Sequence, residues 1–218
     1  HQLLAPISEN LAAGMILLSG WDKKSNFIDP MCGSGTIPIE AALIAANIAP
    51  GRLRSFAFEK WKDFAPFLWK RIKNEAEKQI IPFKGKIFGH DSDVNAVRYS
   101  ALNAQNAMVE DFIDIDKKDF FKDEFGFNDG IVMINPPYGE RLNEEDEIIP
   151  MYKEIGNKLK HSYENCSAWI ISGNLNAIKF IGLKPSKKIA LFNGPIECKF
   201  HKFELYKGTK KQKEAVEI

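Results

Sequence analysis

The chain has 218 residues, of which 44% are hydrophobic and 27% charged, as expected for a soluble protein with one large, well-packed domain. No apolar run approaches the roughly 20 residues of a membrane span, and no signal peptide opens the chain. The three cysteines are scattered without a C-x-x-C pair, which argues against disulfides or a metal site and indicates the cytoplasm. The net charge of +1 gives little support for a protein that binds nucleic acid unaided.

Short apolar strands alternate with amphipathic helices, a pattern typical of an α/β fold whose mostly parallel sheet is covered on both faces. The predicted strands are 26–29, 86–91, 112–116, 130–135, 168–172, 187–192 and 197–206. The predicted helices are 7–19, 37–46, 61–79, 93–108, 147–163 and 174–180. Asn193-Gly194 between the last two strands predicts an antiparallel C-terminal hairpin. The pattern is similar to the Rossmann-like, seven-stranded sheet of class I methyltransferases over residues 1–206, followed by a polar, lysine-rich tail at 207–218.

A glycine loop follows the first predicted strand, at the edge of the sheet where open α/β folds bind ligands. Gly33 and Gly35 let the backbone approach a ligand closely, although a G-x-G pair alone also fits a tight turn. Pro38 stands where the dinucleotide fingerprint needs a small residue, and Asp29 would repel a pyrophosphate. A carboxylate suits a ligand with an amino group and a sulfonium, and S-adenosylmethionine has both. The predicted cofactor-binding residues of this loop are Asp29, Met31, Cys32, Gly33, Ser34, Gly35 and Thr36.

Two acids after the next strands complete the predicted cofactor site. An acid at the end of the second strand is placed to bond ribose hydroxyls, and we assign this role to Asp91. Asp93 is the expected cap of the following helix. Asp119 after the third strand is placed to accept a hydrogen bond from an adenine amino group, although a solvated turn acid is an equal alternative.

Asn135-Pro136-Pro137-Tyr138 at the end of the fourth strand is the predicted catalytic motif. The exocyclic nitrogen of guanine or adenine is a poor nucleophile because its lone pair is delocalised into the ring. An Asn side-chain oxygen and a proline carbonyl can accept its two protons, and the prolines orient these acceptors in advance. Tyr138 offers a face on which an extruded base can stack. The alternative without a catalytic role is a strand and turn terminated by proline.

Together these residues resemble the methyltransferase domain of the THUMP-associated guanine methyltransferases, notably the bacterial enzymes that methylate the guanine 2-amino group in 23S rRNA. The motifs that carry the resemblance are Ala5-Pro6 with Leu11-Ala12-Ala13, Asp29 to Thr36, Asn135 to Leu142, Trp169 to Asn174, Gly182 to Lys188, and Asn193 to Cys198. The resemblance implies cofactor binding by the glycine loop with Asp91, Asp119 and Asn135, and base binding by Asn135 to Tyr138. It also implies an N-terminal THUMP RNA-binding domain, which we expect to be missing from this chain.

The leading hypothesis is therefore S-adenosylmethionine-dependent methylation of a guanine 2-amino group in 23S rRNA, with ribosomal RNA as partner and no metal. The same motif would serve adenine-N6 methylation of DNA or RNA, or methylation of a protein glutamine. A non-catalytic RNA-binding scaffold and a dinucleotide-dependent oxidoreductase are weaker alternatives.

Several other side chains are interpreted as structural or solvated. We expect Cys32, His90 and His201 to be packed or surface residues rather than nucleophiles or ligands. The aromatic cluster Trp61, Phe64, Phe67 and Trp69 is predicted to be core. Lys184, Lys187, Lys188 and the tail lysines fit a solvated face better than a phosphate-binding one.

Overall fold

The computed structural model describes residues 7–139 and 145–207, with the side chains of 7–139 and 148–207. Ala5-Pro6, Glu140 to Leu142 and nearly all of the predicted 207–218 tail lie outside the described residues. The strands are β1 Asn26–Asp29, β2 Ile87–Asp91, β3 Ile113–Lys117, β4 Gly130–Ile134, β5 Ser167–Ser172, β6 Lys187–Asn193 and β7 Ile196–Glu204. The helices are α1 Glu9–Ser19, α2 Thr36–Ala45, α3 Pro66–Glu77, α4 Val94–Asn106 and α5 Glu145–Ser162. No helix within the described ranges is long and apolar enough to cross a membrane.

The seven strands form one sheet in the order β3-β2-β1-β4-β5-β7-β6. The first five strands run parallel, while β7 pairs antiparallel with both β5 and β6. This arrangement confirms the predicted fold class, including the C-terminal antiparallel hairpin. The central strands are buried on both faces, which explains their nearly continuous apolar sequences.

Two hydrophobic cores lie on opposite faces of the sheet. The first joins α1, α2 and α4 to the sheet and includes Met15, Phe27 and Trp169. The second lies under α5 and the 3-10 turn Ala177–Ile181 and includes Tyr152. The helices therefore cover both faces, as the alternating pattern predicts.

Helix ends follow local capping chemistry. The hydroxyl of Ser8 accepts a hydrogen bond from the amide of Leu11 at 3.3 Å, and Gly20 ends α1 in the left-handed conformation. Asp93 accepts from the amide of Asn95 at 2.8 Å and caps α4, as predicted. Pro150 lies inside α5, because the helix begins two residues before its predicted start.

The helix predicted over 61–79 is shorter and covers only Pro66–Glu77. A 3-10 turn covers Ala57–Lys60, and α3 begins only at Pro66, which is favoured at a first helical position because its amide has no hydrogen to donate. The prediction that its aromatic residues form core is wrong in part: Trp61 is 65% exposed and Phe67 is 89% exposed. No side chain of α3 is buried, so this helix packs on the surface of the domain.

The hairpin turn lies one residue later than the Asn-Gly pair suggests. Asn193 is paired with Ile196, so Gly194 and Pro195 form the two-residue loop. Gly194 has a φ of 60°, as a II′-type turn requires at its first central position. Asn193 is consequently a buried strand residue.

Gly156 allows α5 to approach the 3-10 turn Ala177–Ile181. A Cβ at Gly156 would overlap the carbonyl oxygen of Ile181 and lie 2.7 Å from its carbonyl carbon. Backbone atoms cannot rotate away, so we expect Gly156→Ala to lower the free energy of unfolding by about 1–3 kcal/mol in urea denaturation. Gly14→Ala in α1 is the matched control, because nothing lies within 4 Å of its new Cβ. The control should be neutral or stabilising, and equal losses in both variants would contradict the proposed close contact.

Candidate active site

The carboxyl ends of β1 and β4 lie side by side at one edge of the sheet. The two strands pair in parallel, with Ile28 opposite Val132, and β2 flanks β1 on its other side. The chain therefore leaves β1 at the point where strand order reverses, which is where open α/β sheets bind ligands. Because neighbouring strands are about 4.8 Å apart, the loop after β1 and the loop after β4 are adjacent.

The glycine loop is shaped by two residues with positive φ. Gly33 has a φ of 55° with open space on the side where a Cβ would project. Gly35 has a φ of 85°, and a Cβ there would overlap the side chain of Ser100 in α4. The first glycine therefore leaves the loop surface free for a ligand, whereas the second permits close packing of α2 against α4.

The loop is tied to the end of β2. The amide of Gly33 donates to Asp91 Oδ2 at 2.9 Å, and the amide of Cys32 donates to the carbonyl of His90 at 2.8 Å. The other oxygen of Asp91 accepts from the amide of Asp93 at 2.9 Å. Asp91 is partly exposed, so its carboxylate keeps unused acceptor positions directed to solvent beside the loop.

Asp29 is buried beneath the same loop. Its side chain is 1% exposed and accepts a hydrogen bond from the amide of Met31 at 3.1 Å. Burial raises the pKa of Asp29 to about 8, the Met31 hydrogen bond opposes this rise, and the nearby carboxylate of Asp91 adds to it. A cationic group arriving at the loop would stabilise the ionised form of both acids.

The other predicted loop residues have different environments. Cys32 is buried, and burial followed by the two neighbouring carboxylates raises the pKa of its thiol, so it is a packing residue rather than a nucleophile. Met31 is partly buried and packs against the second core. The hydroxyls of Ser34 and Thr36 are 3.5 Å apart, and Asn103 Nδ2 donates to the carbonyl of Ser34 at 2.9 Å.

Asp119 lies two residues beyond the end of β3. The amide of Phe121 donates to its Oδ1 at 3.0 Å, and Lys122 Nζ is 3.1 Å from its Oδ2. Burial by itself would raise the pKa of Asp119, but the hydrogen bonds from Lys122 and Phe121 outweigh it and lower the pKa. The backbone amide of Lys118 donates a hydrogen bond to the carbonyl of Asp91 at 3.0 Å. The loop that carries Asp119 therefore lies next to Asp91.

Asn135 directly follows β4 and is partly exposed. Its Oδ1 accepts a hydrogen bond from the hydroxyl of Tyr138 at 2.8 Å. This contact orients the amide and leaves Oδ1 with a second lone pair for another donor. The ring of Tyr138 is only 8% exposed, so in this conformation its hydroxyl orients Asn135 and little of its face is available for base stacking.

A clamp of three side chains holds the motif from α5 and β5. The hydroxyl of Tyr152 donates to the carbonyl of Pro137 at 3.2 Å and lies 2.5 Å from the hydroxyl of Ser172. Asn174 Nδ2 donates to the carbonyl of Tyr138 at 2.9 Å. This clamp holds the carbonyls of Pro137 and Tyr138 in place.

Sequence reasoning missed these supporting roles. In the sequence, Ser172, Gly173 and Asn174 are visible only as part of the Trp169 to Asn174 motif. No local signal points to Tyr152. A Cβ at Gly173 would lie 2.7 Å from Ile196 and 2.8 Å from the Tyr138 ring, so only glycine fits there. The end of β5 and the start of β7 therefore form the wall against which the catalytic motif packs.

In the described part of the chain, no group of three or more His, Cys, Asp or Glu side chains is placed to hold a metal ion. His90 and His201 are buried, and burial lowers the pKa of each to about 4, so both are neutral imidazoles.

The sheet order, the glycine loop after β1 and the Asn-Pro-Pro-Tyr motif after β4 define a domain of the class I methyltransferase type. The chain belongs to the RMKL-like methyltransferase domain family, UPF0020, whose model matches residues 1–202. A ribosomal RNA large subunit methyltransferase K/L from Aliivibrio salmonicida is 38% identical over 221 aligned positions, covering 98% of this chain. The chain spans 31% of that relative's length, so it corresponds to one part of a longer protein.

Two solved structures show the same fold at substantial identity. SMU.472, a methyltransferase candidate crystallised with SAH, is 35% identical with a TM-score of 0.86, over 95% of this chain and 55% of that one. A protein named as a predicted N6-adenine-specific DNA methylase from Listeria monocytogenes is 34% identical with a TM-score of 0.81, over 95% and 53%. The family resemblance and the fold inferred from the sequence are thus confirmed.

The burial of Asp29 predicts a pH-dependent gain in stability for Asp29→Asn. The folded pKa near 8 exceeds the unfolded value of 3.8, so the folded state binds more protons between these values and its free energy of unfolding falls as pH rises. Asn keeps an acceptor for the Met31 amide without the charge. The stability advantage of the variant should therefore be larger at about pH 8 than at about pH 5, by on the order of 1–4 kcal/mol in urea denaturation.

Exposed Asp63 provides the matched control, as Asp63→Asn makes the same chemical change at the surface. An advantage of Asp29→Asn that does not change with pH would contradict a proton-linked cost of burying this carboxylate.

Proposed function

We propose that the chain is the catalytic domain of an S-adenosylmethionine-dependent methyltransferase that acts on the 2-amino group of a guanine in 23S ribosomal RNA. The observation that carries the proposal is the Asn135 amide oxygen, which Tyr138 orients at the end of β4 beside the glycine loop. A rigid acceptor at this position suits an exocyclic amine that must be held still while its nitrogen attacks.

The residues present fit the proposed cofactor. Gly33 leaves room at the loop surface, and the partly exposed carboxylate of Asp91 offers acceptors for ribose hydroxyls. Asp119, in the adjoining loop, would accept from the adenine amino group, and Asp29 would favour the cationic end of the ligand from below. When bound, S-adenosylmethionine supplies a methyl group activated by a sulfonium.

The catalytic motif would work by holding the amine in a fixed orientation. Asn135 Oδ1 and the carbonyl of Pro136 accept the two amine hydrogens, which draws the nitrogen lone pair out of conjugation with the ring. Tyr138, Tyr152 and Asn174 keep these acceptors in place through the hydrogen bonds described above. The protein therefore contributes orientation and electrostatic complementarity rather than a nucleophile or a strong base.

The RNA substrate is supported by the relatives. Curated relatives at 36–38% identity, from Aliivibrio and Legionella, are named ribosomal RNA large subunit methyltransferases, and they are about three times as long as this chain. With a net charge of only +1, the domain has little general affinity for phosphates, so a separate RNA-binding module of the THUMP kind would supply much of the grip. We therefore propose a cytoplasmic location for the protein.

Adenine-N6 methylation is the second candidate, because the Listeria protein at 34% identity is named as a predicted N6-adenine-specific DNA methylase. The acceptor pair at Asn135 suits either amine. Incubation of the protein with rRNA and with DNA, followed by mass spectrometry of the nucleosides, separates the two: methylated guanosine supports the proposal, and methylated deoxyadenosine would overturn it.

Removal of the charge at Asp91 should weaken cofactor binding. An amide accepts more weakly than a carboxylate from ribose hydroxyls, so we expect Asp91→Asn to raise the Kd for S-adenosylmethionine by about 10-fold or more in titration calorimetry. The exposed Asp116→Asn in β3 is the control and should bind like the unchanged protein. Unaltered affinity in Asp91→Asn would remove this residue from the cofactor site.

Asn135→Ala should separate cofactor binding from catalysis. The substitution removes one oriented acceptor, so we expect kcat to fall by roughly 100-fold or more while the Kd for S-adenosylmethionine stays within about twofold. Exposed Asn157→Ala in α5 makes the same change away from the motif and should leave both values intact. Normal turnover by Asn135→Ala would refute the catalytic assignment.

A further inference from the structure

A groove runs along the face of the β6–β7 hairpin that carries α5 and the 3-10 turn Ala177–Ile181. Its volume is about 420 Å³, within the range of sites that hold a nucleotide-sized ligand. Ile178 and Ala190 form an apolar floor. This hairpin groove is not part of the cofactor loop or the Asn135 motif.

Cationic side chains surround the apolar floor. Lys179, Lys188 and Lys199 come from three different elements and line the groove together with one acid, Glu197. Within the described ranges, none of these lysines forms an ion pair. Their charges are thus available to an anionic ligand, and the single carboxylate leaves the groove positive.

His201 adds a buried polar atom to the groove. Its side chain is 6% exposed and lines the cavity, and its Nε2 has no hydrogen-bond partner in the described structure. A buried ring nitrogen without a partner is costly to keep in a folded protein.

The hairpin groove continues toward the catalytic motif. Lys188, Ala190 and Phe192 alternate along β6 and therefore share one face, and Phe192 is 63% exposed at the end of the strand nearest the motif. Three strand spacings separate β6 from β4, which puts the groove about 14 Å from Asn135.

We propose that the hairpin groove binds the single-stranded RNA next to the target base, with phosphates on Lys179, Lys188 and Lys199 and a base stacked on Phe192. Exposed aromatic rings interleaved with lysines are the usual platform for single strands. The inference rests on the proposed RNA substrate but concerns a surface separate from the catalytic motif.

Binding of a fluorescent single-stranded oligo(A) RNA at several salt concentrations tests the groove without a target guanine. We expect Phe192→Ser to weaken binding by about 5-fold or more, through loss of stacking. Lys188→Gln combined with Lys199→Gln should reduce the slope of log Kd against log salt by about 1.4, since each phosphate contact contributes about 0.7 on a single strand. Both variants should bind S-adenosylmethionine normally.

The control is Lys62→Gln combined with Lys70→Gln, which removes the same charge from exposed positions near and in α3. Four results would each contradict RNA binding by the groove. They are an equal loss of slope in this control, unchanged RNA binding by the groove variants, preference for duplex RNA, and no RNA binding by the unchanged chain at low salt. If the groove variants bind RNA normally and still methylate guanine, the groove proposal fails and the proposed function stands. If the groove variants lose RNA binding as expected but the unchanged chain transfers no methyl group, the proposed function fails and the groove proposal stands.

Discussion

The parallel pairing of β1 with both β2 and β4 is the constraint on which the site depends. It brings three carboxyl strand ends to one edge, so that the glycine loop, Asp91 and Asn135 become neighbours although more than 100 residues separate the first from the last. The apolar strands drive this arrangement, because they can be buried only with helices on both faces. The chemistry at the edge is then set by a few polar groups on a rigid support.

Burial gives those polar groups their different tasks. Asp29 lies beneath the loop in a position where its charge is costly, while Asp91 reaches partly into solvent and holds the Gly33 amide. The carboxylate of Asp91 adds to the cost of ionising Asp29, so a cationic group at the loop would reduce that cost. Stability is lower at this point of the domain than an uncharged loop would permit, which is common where a site is preorganised for a ligand.

The C-terminal part of the domain acts as a support for the catalytic motif. Tyr152 from α5, Asn174 after β5 and the Tyr138 ring hold the two acceptors at the end of β4, and Gly173 makes the close packing possible. These contacts supply a physical reason for the Trp169 to Asn174 motif, one of those by which the chain resembles its family. The same hairpin presents its other face as the proposed groove, so one element would both stiffen the motif and guide the RNA toward it.

The pattern of residues along the chain determined the fold class, the cap at Asp93, the C-terminal hairpin and the polar residues at the strand ends. These features depend on short-range periodicity and on residue types with strong local preferences, so they can be deduced without knowing any distant contact. The later start of α3 and the exposure of Trp61 and Phe67 could not be deduced in this way, because periodicity does not reveal which apolar face finds a partner.

Tertiary packing alone decided the finer features of the site. The pairing of the Tyr138 hydroxyl with Asn135, the clamp from Tyr152 and the shift of the hairpin turn to Gly194-Pro195 all join elements that meet only in the folded sheet. The sequence by itself identified the candidate groups for the chemistry, since a glycine loop and an Asn-Pro-Pro-Tyr motif are local signals. Which of those groups are buried, oriented or free to meet a ligand depends on contacts between distant segments, and no local pattern encodes them.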